Sequence, residues 1–394
     1  MKYCVLSHRG FSTFPRASKQ IESLASQEGV DVVVIGIQML NGESETFNIG
    51  NATVKHLSLP ISLPMVGPLK IVNTIIAMMT LLFAAWEERA DVYHCFNIYA
   101  LIVGSILSTT QSSQLTYDAS EPNGLQIRIQ FPGILGKLMS GIVNRIEGIL
   151  AARTVAVFTV NSSDGVPFDR LTRYNSNTVI LENVPQLSEF DANPEDSPLD
   201  PETKTLIYVG GVSERKGGDI MIEAMVHVVE DHPDAQLVII GGGTDSYMCH
   251  LRDRIETLGI EDNVWLLGPV EYDRVPAYLA DATVGYQLYQ PGPWTSRSKA
   301  SSTVFRHMGA ELPVVVTDLP GLGELIEDLE CGLTVPVDDP ESIGAAVSGL
   351  LADEEQIETL AANGRRQVET RYNWKIEEER FLDHMPVPQT ADTE

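Results

Sequence analysis

The sequence alternates short apolar runs with helix-length segments, and it does so twice. In the first half the runs KYCVLSH, DVVVIGI, DVYHCF, QLTYDA, VAVFTV and TVILEN are rich in valine, isoleucine and aromatic residues. In the second half TLIYVG, QLVIIGG, NVWLLG, TVGYQLY, PVVVTD and GLTVPV repeat the pattern, separated by helical stretches such as 219–230 and 247–258. Short strands that are apolar throughout, spaced by helices, belong to βαβ units whose parallel sheet is covered on both faces. A chain of 394 residues is long for one core and suits two domains of about 150–200 residues each. The join falls at residues 188–204, SEFDANPEDSPLDPETK, which are acidic, proline-containing and aperiodic. The expected fold is therefore α/β: two Rossmann-like, doubly wound parallel-sheet domains facing a cleft, with C-terminal helices. The expected parts are residues 1–187, a linker over 188–204, residues 205–370, and a C-terminal helix with a polar tail over 371–394. Open α/β sheets take ligands at the carboxyl ends of their strands, so the cleft is where a site is expected.

Net charge excludes a class of partner. The chain carries 54 acidic against 27 basic residues, a net of −27, and only nine of the basic residues are lysine. Such a field repels DNA, RNA and anionic lipid, so no nucleic-acid partner is expected. The acids are dispersed rather than gathered in a tail. That distribution suits a cytosol at multimolar salt, where charge is screened within about 3 Å, and so a halophile of archaeal type. An acidic mesophilic enzyme would share the composition. Cys4, Cys95, Cys249 and Cys331 form no CxxC pair, so reduced thiols are expected, with neither a metal site nor a disulfide frame. Met1-Lys2 runs directly into a strand, so no signal peptide and a cytoplasmic location are expected. Residues 71–86, IVNTIIAMMTLLFAAW, fall short of the roughly 20 that span a bilayer, and Asn73, Thr74 and Thr80 interrupt them. A largely buried helix fits this segment. A helix making peripheral contact with a membrane, or binding a partner, fits it as well.

Three stretches of the second half carry chemistry. In Tyr208-Val209-Gly210-Gly211-Val212-Ser213-Glu214-Arg215-Lys216-Gly217-Gly218 a strand runs into glycines, a basic pair, more glycines and a helix. Glycines admit a ligand to the backbone, the helix start offers free N–H groups to an anion, and Arg215 or Lys216 would neutralise a diphosphate. A surface turn with two solvated cations would read the same way. Ile240-Gly241-Gly242-Gly243-Thr244 is a second glycine turn after a strand, a weaker signal that any sharp turn would give. Between Tyr286 and Asp318, the residues Arg297, Lys299, Arg306 and His307 concentrate basic groups against an acidic background, which favours a phosphate over a solvated face. In the first half, Ser7-His8-Arg9-Gly10, His94 and Tyr117-Asp118-Ala119-Ser120-Glu121 all sit at expected strand carboxyl ends. A lone histidine there is commonly structural; its company with Asp118 and Glu121 raises a catalytic reading beside it.

In order and spacing, these pieces resemble the large retaining glycosyltransferase family 4, of GT-B fold, nearly end to end. Asp91-Val92-Tyr93-His94 is similar to the family's "D-v-v-H", and Tyr117 to Glu121 to its "Y-D-x-H-E". Glu182-Asn183-Val184-Pro185 resembles its asparagine turn, and Tyr208-Val209-Gly210 to Lys216-Gly217 its "V-G-R-x-x-x-x-K-G". Pro313-Val314-Val315 with Asp318, Gly321 and Glu324 resembles "P-V-V-a-s-d-x-x-G-x-x-E". The resemblance implies a nucleotide-sugar donor held by the second domain, an acceptor held by the first, retention at the anomeric carbon, and no cofactor or metal. It implies catalytic roles for His94, Asp118 and Glu121. Donor contacts would come from Gly10, Gly210, Gly211, Arg215, Lys216, Gly242, Arg306 and Glu324. Transferases of this kind commonly extend a lipid-linked glycan for surface glycoproteins, at the inner face of the cell membrane.

The sequence departs from the family where the donor is held. Ser298 and Arg306 stand at the positions of two glutamates, Gly211 at that of the diphosphate-binding arginine, and Ser120 at that of the second histidine. Three explanations stay open. Arg306 supplies the cation that Gly211 lacks; the donor is a different nucleotide or lipid-phosphate sugar; or the chain is a catalytically weak partner of another transferase. A nucleotide-sugar epimerase on the same fold fits the first-half segments less well.

Overall fold

The computed structural model describes residues 1–8, 10, 15–38, 44–61, 67–160, 167–191, 197–292 and 302–386. It divides into two compact units, Met1–Glu182 with Glu377–Glu394, and Asn183–Ile376.

The first unit runs β1 (Lys2–Ser7), α1 (Pro15–Ala25), β2 (Asp31–Gln38), β3 (Glu45–Ile49), β4 (Ala52–Ser58), α2 (Gly67–Trp86), β5 (Val92–Phe96), α3 (Asn97–Gln111), β6 (Gln114–Asp118), α4 (Asn123–Gln130), α5 (Ile134–Ala151), β7 (Ala156–Thr159), α6 (Pro167–Leu171) and β8 (Thr178–Ile180). Among the described residues these strands form an eight-stranded sheet in the order β3-β4-β2-β1-β5-β6-β7-β8. The pairs are parallel except β3 with β4, a hairpin closed by Gly50 and Asn51, with Gly50 at φ +55°. Each strand side faces its own helical layer. Cys4, Leu6, Tyr93, Cys95 and Tyr117 meet α2, α3 and α5, while His94, Thr116 and Asp118 face α1.

The expectation of a largely buried helix over 71–86 is corrected. Asn73, Ala77, Leu81 and Ala85 of α2 are buried, but Ile71, Ile75, Met79 and Phe83 are exposed. The helix rests on the sheet by Ala77, Leu81 and Ala85, with Met78 and Leu82 at the margin, and leaves a row of large apolar residues outside. Among the described residues no helix is long and apolar enough to cross a membrane.

The second unit runs β9 (Thr205–Val209), α7 (Gly218–Asp231), β10 (Gln236–Ile240), α8 (Asp245–Leu258), β11 (Val264–Gly268), α9 (Val275–Ala280), β12 (Val284–Gln287), α10 (Ser302–Gly309), β13 (Val314–Thr317), α11 (Leu322–Leu329), β14 (Gly332–Val335), α12 (Pro340–Leu351) and α13 (Glu354–Thr370), before α14 (Trp374–His384). Local chemistry sets the helix ends. Thr244 caps α8 by accepting from the Tyr247 N–H, and Gly259 closes it in the left-handed region. Asp339 and Asp353 cap α12 and α13 in the same way. The sheet is parallel throughout, in the order β11-β10-β9-β12-β13-β14. The order turns back between β9 and β12, and a doubly wound sheet opens a ligand crevice at the carboxyl ends of the strands flanking such a switch.

Candidate functional site

The carboxyl ends of β9 and β12 are pinned together by backbone. A 3-10 turn, Glu214–Lys216, follows β9, and the Arg215 carbonyl accepts from the Gln290 N–H at 2.9 Å. Gly217 closes that turn at φ +81°, and a Cβ there would lie 2.0 Å from the Leu288 carbonyl oxygen. Only glycine fits. The Lys216 ammonium sits 5.5 Å from the centre of the Tyr289 ring, so the ring steadies the head group while the residue stays partly open to solvent. Beside it, the Gly210 N–H donates to Ile240 O and the Val212 N–H to Gly242 O. Gly241, at φ +138°, brings the two turns so close that a Cβ would stand 1.8 Å from the Gly210 carbonyl. Gly211 and Arg215 are exposed, and Gly210 and Gly242 half-buried. The structure thus brings Gly210, Gly211, Arg215, Lys216 and Gly242 to one end of the sheet, around the start of α7. Glu324 is exposed in the first turn of α11, which follows β13. Free helical N–H groups, glycine backbone and two cations form a concentration of positive potential that suits a diphosphate.

The basic stretch after β12 differs from expectation. Arg306 is 9% exposed and commits its guanidinium within the unit, donating to the Tyr272 hydroxyl, pairing with Glu189 at 3.4 Å and stacking 4.8 Å from the Tyr272 ring centre. The idea that Arg306 is a relocated diphosphate cation is therefore corrected to a structural ion pair. His307 is fully buried against Gly285, and burial, aided by Arg306, lowers its pKa to about 3, so it is no cation at neutral pH. Trp294, Arg297, Ser298 and Lys299 lie outside the described residues. Sequence reasoning missed two neighbours of the site. Tyr289 braces Lys216 from the start of the loop after β12, where its immediate neighbours, Leu288 and Gln290, carry no charge. Gln287 ends β12 buried, with neither amide atom bonded, a state that costs about 1–3 kcal/mol and marks it as a candidate ligand contact. A glutamine at the end of an apolar strand was the available signal.

In the first unit His94, Asp118, Arg16 and Gln20 form one buried cluster. The His94 Nδ1 lies 2.8 Å from the Thr116 hydroxyl and its Nε2 2.9 Å from Gln20 Oε1. The Gln20 amide donates to Asp118 Oδ2 at 2.7 Å, and Arg16 donates to the same oxygen at 2.9 Å and to the Leu181 carbonyl at 2.7 Å. Phe381 of α14 covers the His94 ring, with centroids 5.9 Å apart. His94 and Asp118 are both fully buried. Such geometry holds the sheet and α1 in place, and does not present His94 to a sugar. Glu121 lies beyond β6, half-buried, accepting from Gln126 at 3.1 Å. Gly10 stands beside the His56 ring, and His8 is buried against Tyr99. Arg9, Phe11 and Ser12 lie outside the described residues.

The two buried histidines predict an acid limb. Burial lowers His94 to about 4, against 6.5 ordinarily, with Asp118 opposing the shift and Arg16 reinforcing it. Below 6.5 the unfolded chain binds protons that the folded chain refuses, so stability falls as pH drops, for His94 across the window from 6.5 to about 4. Melting curves from about pH 7.5 to about 4.5 should show a falling Tm, less steep in His94→Asn. An unchanged slope in that variant would mean that His94 takes its proton without cost.

Among the described residues no group of three or more His, Cys, Asp or Glu side chains is placed to hold a metal ion. Solved structures settle the architecture. Sucrose-phosphate synthase of Thermosynechococcus elongatus superposes with a TM-score of 0.74 at 17% identity, over 97% of this chain and 98% of that one. The chain has the GT-B fold. Anabaena HepE, solved in complex with UDP and glucose, shares that fold with a TM-score of 0.71, 17% identity and the same coverage. Residues 189–367, which carry the site of the second unit, match the family described as Glycosyl transferases group 1. An uncharacterized glycosyltransferase of Methanocaldococcus jannaschii is 30% identical over 175 residues, 44% of this GT-B chain and 42% of the relative. The phosphatidyl-myo-inositol mannosyltransferase of Mycobacterium leprae is 26% identical over 262 residues, 66% of this chain and 63% of the relative. The chain spans about half the length of the curated relatives it matches.

Proposed function

We propose that the chain is a glycosyltransferase that moves a hexosyl unit from a nucleotide-sugar donor, with retention, to a growing lipid-linked glycan for surface glycoproteins. The observation that carries this reading is the pairing of glycine turns with Lys216 at the β9 switch point, inside the region that matches Glycosyl transferases group 1. The donor diphosphate would lie along Gly210, Gly211 and Gly242, with Arg215 and Lys216 stabilising the charge that grows on the leaving group. Glu324 and Gln287 would complete donor recognition. Glu121 and Gly10 would serve the transfer from the first unit, with His94 and Asp118 as positioning residues behind them. No cofactor or metal is assigned a role. A likeness to mannosyltransferases makes GDP-mannose the first donor to try, beside UDP- and TDP-sugars. The acid excess fits a halophilic, archaeal cytoplasm, so the assay belongs at high salt.

The test is release of nucleoside diphosphate, and transfer to a polyprenyl-phosphate-linked glycan, across a panel of nucleotide sugars. Turnover with at least one donor is expected, together with a rise in Tm on adding its nucleotide. Absence of both would sink the reading. Thermal protection without turnover would support a second one, a sugar-nucleotide-binding partner of another transferase, which the commitment of Arg306 to Glu189 and Tyr272 favours.

A further inference from the structure

The outer layer of the first unit reverses the character of the rest of the chain. Helices α2, α3 and α5 lie side by side on one face of the sheet. Gln111 at the end of α3 donates to the Trp86 carbonyl at the end of α2, and Arg153 just after α5 donates to Thr109 of α3. Along α2 Ile71, Ile75, Met79 and Phe83 are exposed, one per turn, with Leu69, Val72 and Trp86 exposed beside them. Along α5 the exposed residues are Ile134, Leu135, Leu138, Ile142, Ile146 and Ile149, with Ile134 at 87% and Leu138 at 61% exposure. Tyr99 and Ile106 of α3 continue the surface between them. A contiguous apolar face of this kind marks an interaction site.

Charge names the partner. Acids outnumber bases two to one in the chain, yet α2, α3, α4 and α5 contain a single acid, Glu147. That acid is buried, bonded to Tyr117, Asn123 and Arg170. The exposed charges of α4, α5 and the residue pair that follows are all positive: Arg128, Lys137, Arg145 and Arg153. At 100° per residue Arg145 falls within the apolar stripe of α5 and Lys137 on its flank. Apolar side chains with interleaved cations, and no exposed acid within the four helices (Glu87, just after Trp86, is an exposed acid at their edge), match the headgroup boundary of an anionic bilayer.

We propose that the α2–α3–α5 layer docks on an anionic lipid surface, with the side chains of α2 and α5 entering the headgroup boundary and Lys137, Arg145 and Arg153 meeting lipid phosphates. The overall charge of −27 repels such a surface at long range; this face is the part that can approach it. The inference deepens the lipid-linked acceptor reading, but vesicle binding is measured without any sugar donor, so either can fail alone.

The test is co-sedimentation of the full chain with phosphatidylglycerol vesicles and with phosphatidylcholine vesicles. Partition onto phosphatidylglycerol should exceed that onto phosphatidylcholine about 10-fold, and the gap should narrow as salt is raised. Leu138→Glu with Ile142→Glu should cut binding to both vesicles about 10-fold at unchanged Tm, since both positions are exposed. Lys137→Glu with Arg145→Glu should remove only the anionic preference. No partition onto phosphatidylglycerol, or equal partition onto both vesicles, would overturn the proposal. So would a dimer in sedimentation velocity that the Leu138→Glu, Ile142→Glu chain fails to form, which would make a second copy the occupant.

Discussion

Replacing Arg16 with alanine is expected to destabilise the first unit by about 3–5 kcal/mol, the largest effect of any single change considered for this chain. Arg16 and Asp118 are 2% and 0% exposed, so the pair is cut off from water. The carboxylate is already under-satisfied, because its Oδ1 has no partner among the described residues. Without the guanidinium, Asp118 would keep only the Gln20 amide and would stand as a nearly uncompensated buried charge. The Leu181 carbonyl would lose its donor in the same step. Thermal unfolding should show the transition of the first unit lowered by roughly 10 °C. Removing both charges, as Arg16→Met with Asp118→Asn, should restore much of that loss, because the penalty arises from the orphaned ion rather than from the missing attraction. A loss of less than about 1 kcal/mol in Arg16→Ala would show that water reaches the cluster.

The second large effect concerns Lys216. Changing it to methionine keeps an unbranched stem while removing the charge, and is expected to lower kcat/KM for the nucleotide-sugar about 100-fold. Binding of the free nucleoside diphosphate should weaken along with it, since in the proposed site the ammonium would meet the same charge in substrate and product. Stability should stay within about 0.5 kcal/mol, because the side chain is only half-buried and makes no ion pair with a neighbour in the described structure. Titration calorimetry with the diphosphate and steady-state kinetics read the two effects separately. Wild-type affinity in Lys216→Met would place the diphosphate elsewhere.

The legible part of the fold was its interior. Each apolar run in the sequence became a parallel strand, because strands covered on both faces are apolar along most of their length. The hairpin β3–β4 escaped notice for the opposite reason. Its first strand, Glu45–Ile49, is mostly exposed and polar, so only the Gly50-Asn51 turn betrayed it. The glycine turns and Lys216 were legible because spacing along one strand–turn–helix segment is local information. What lay beyond reach depended on partners far along the chain. Arg306 reads as a free cation until Glu189 and Tyr272 are seen around it. His94 reads as a strand-end catalyst until Gln20 and Phe381 are seen on either side. Charge patterning gave a further lesson: the net of −27 averaged away four helices, α2 to α5, that carry no exposed acid.

The last residues of α14 and the segment after it belong to the first unit. Phe381 packs on Phe158 and His94, Glu377 accepts from the Glu182 backbone N–H, and the Tyr3 hydroxyl donates to the Pro386 carbonyl. Domains commonly complete themselves in the order in which the ribosome delivers them. Here that order is inverted. The second unit is one continuous stretch, Asn183–Ile376, and borrows no segment from elsewhere in the chain. The first unit, begun at Met1, must wait with the hydrophobic ground around Phe158 uncovered until residues 377–386 have emerged. A chain cut just short of them would carry a complete second unit and an open first one.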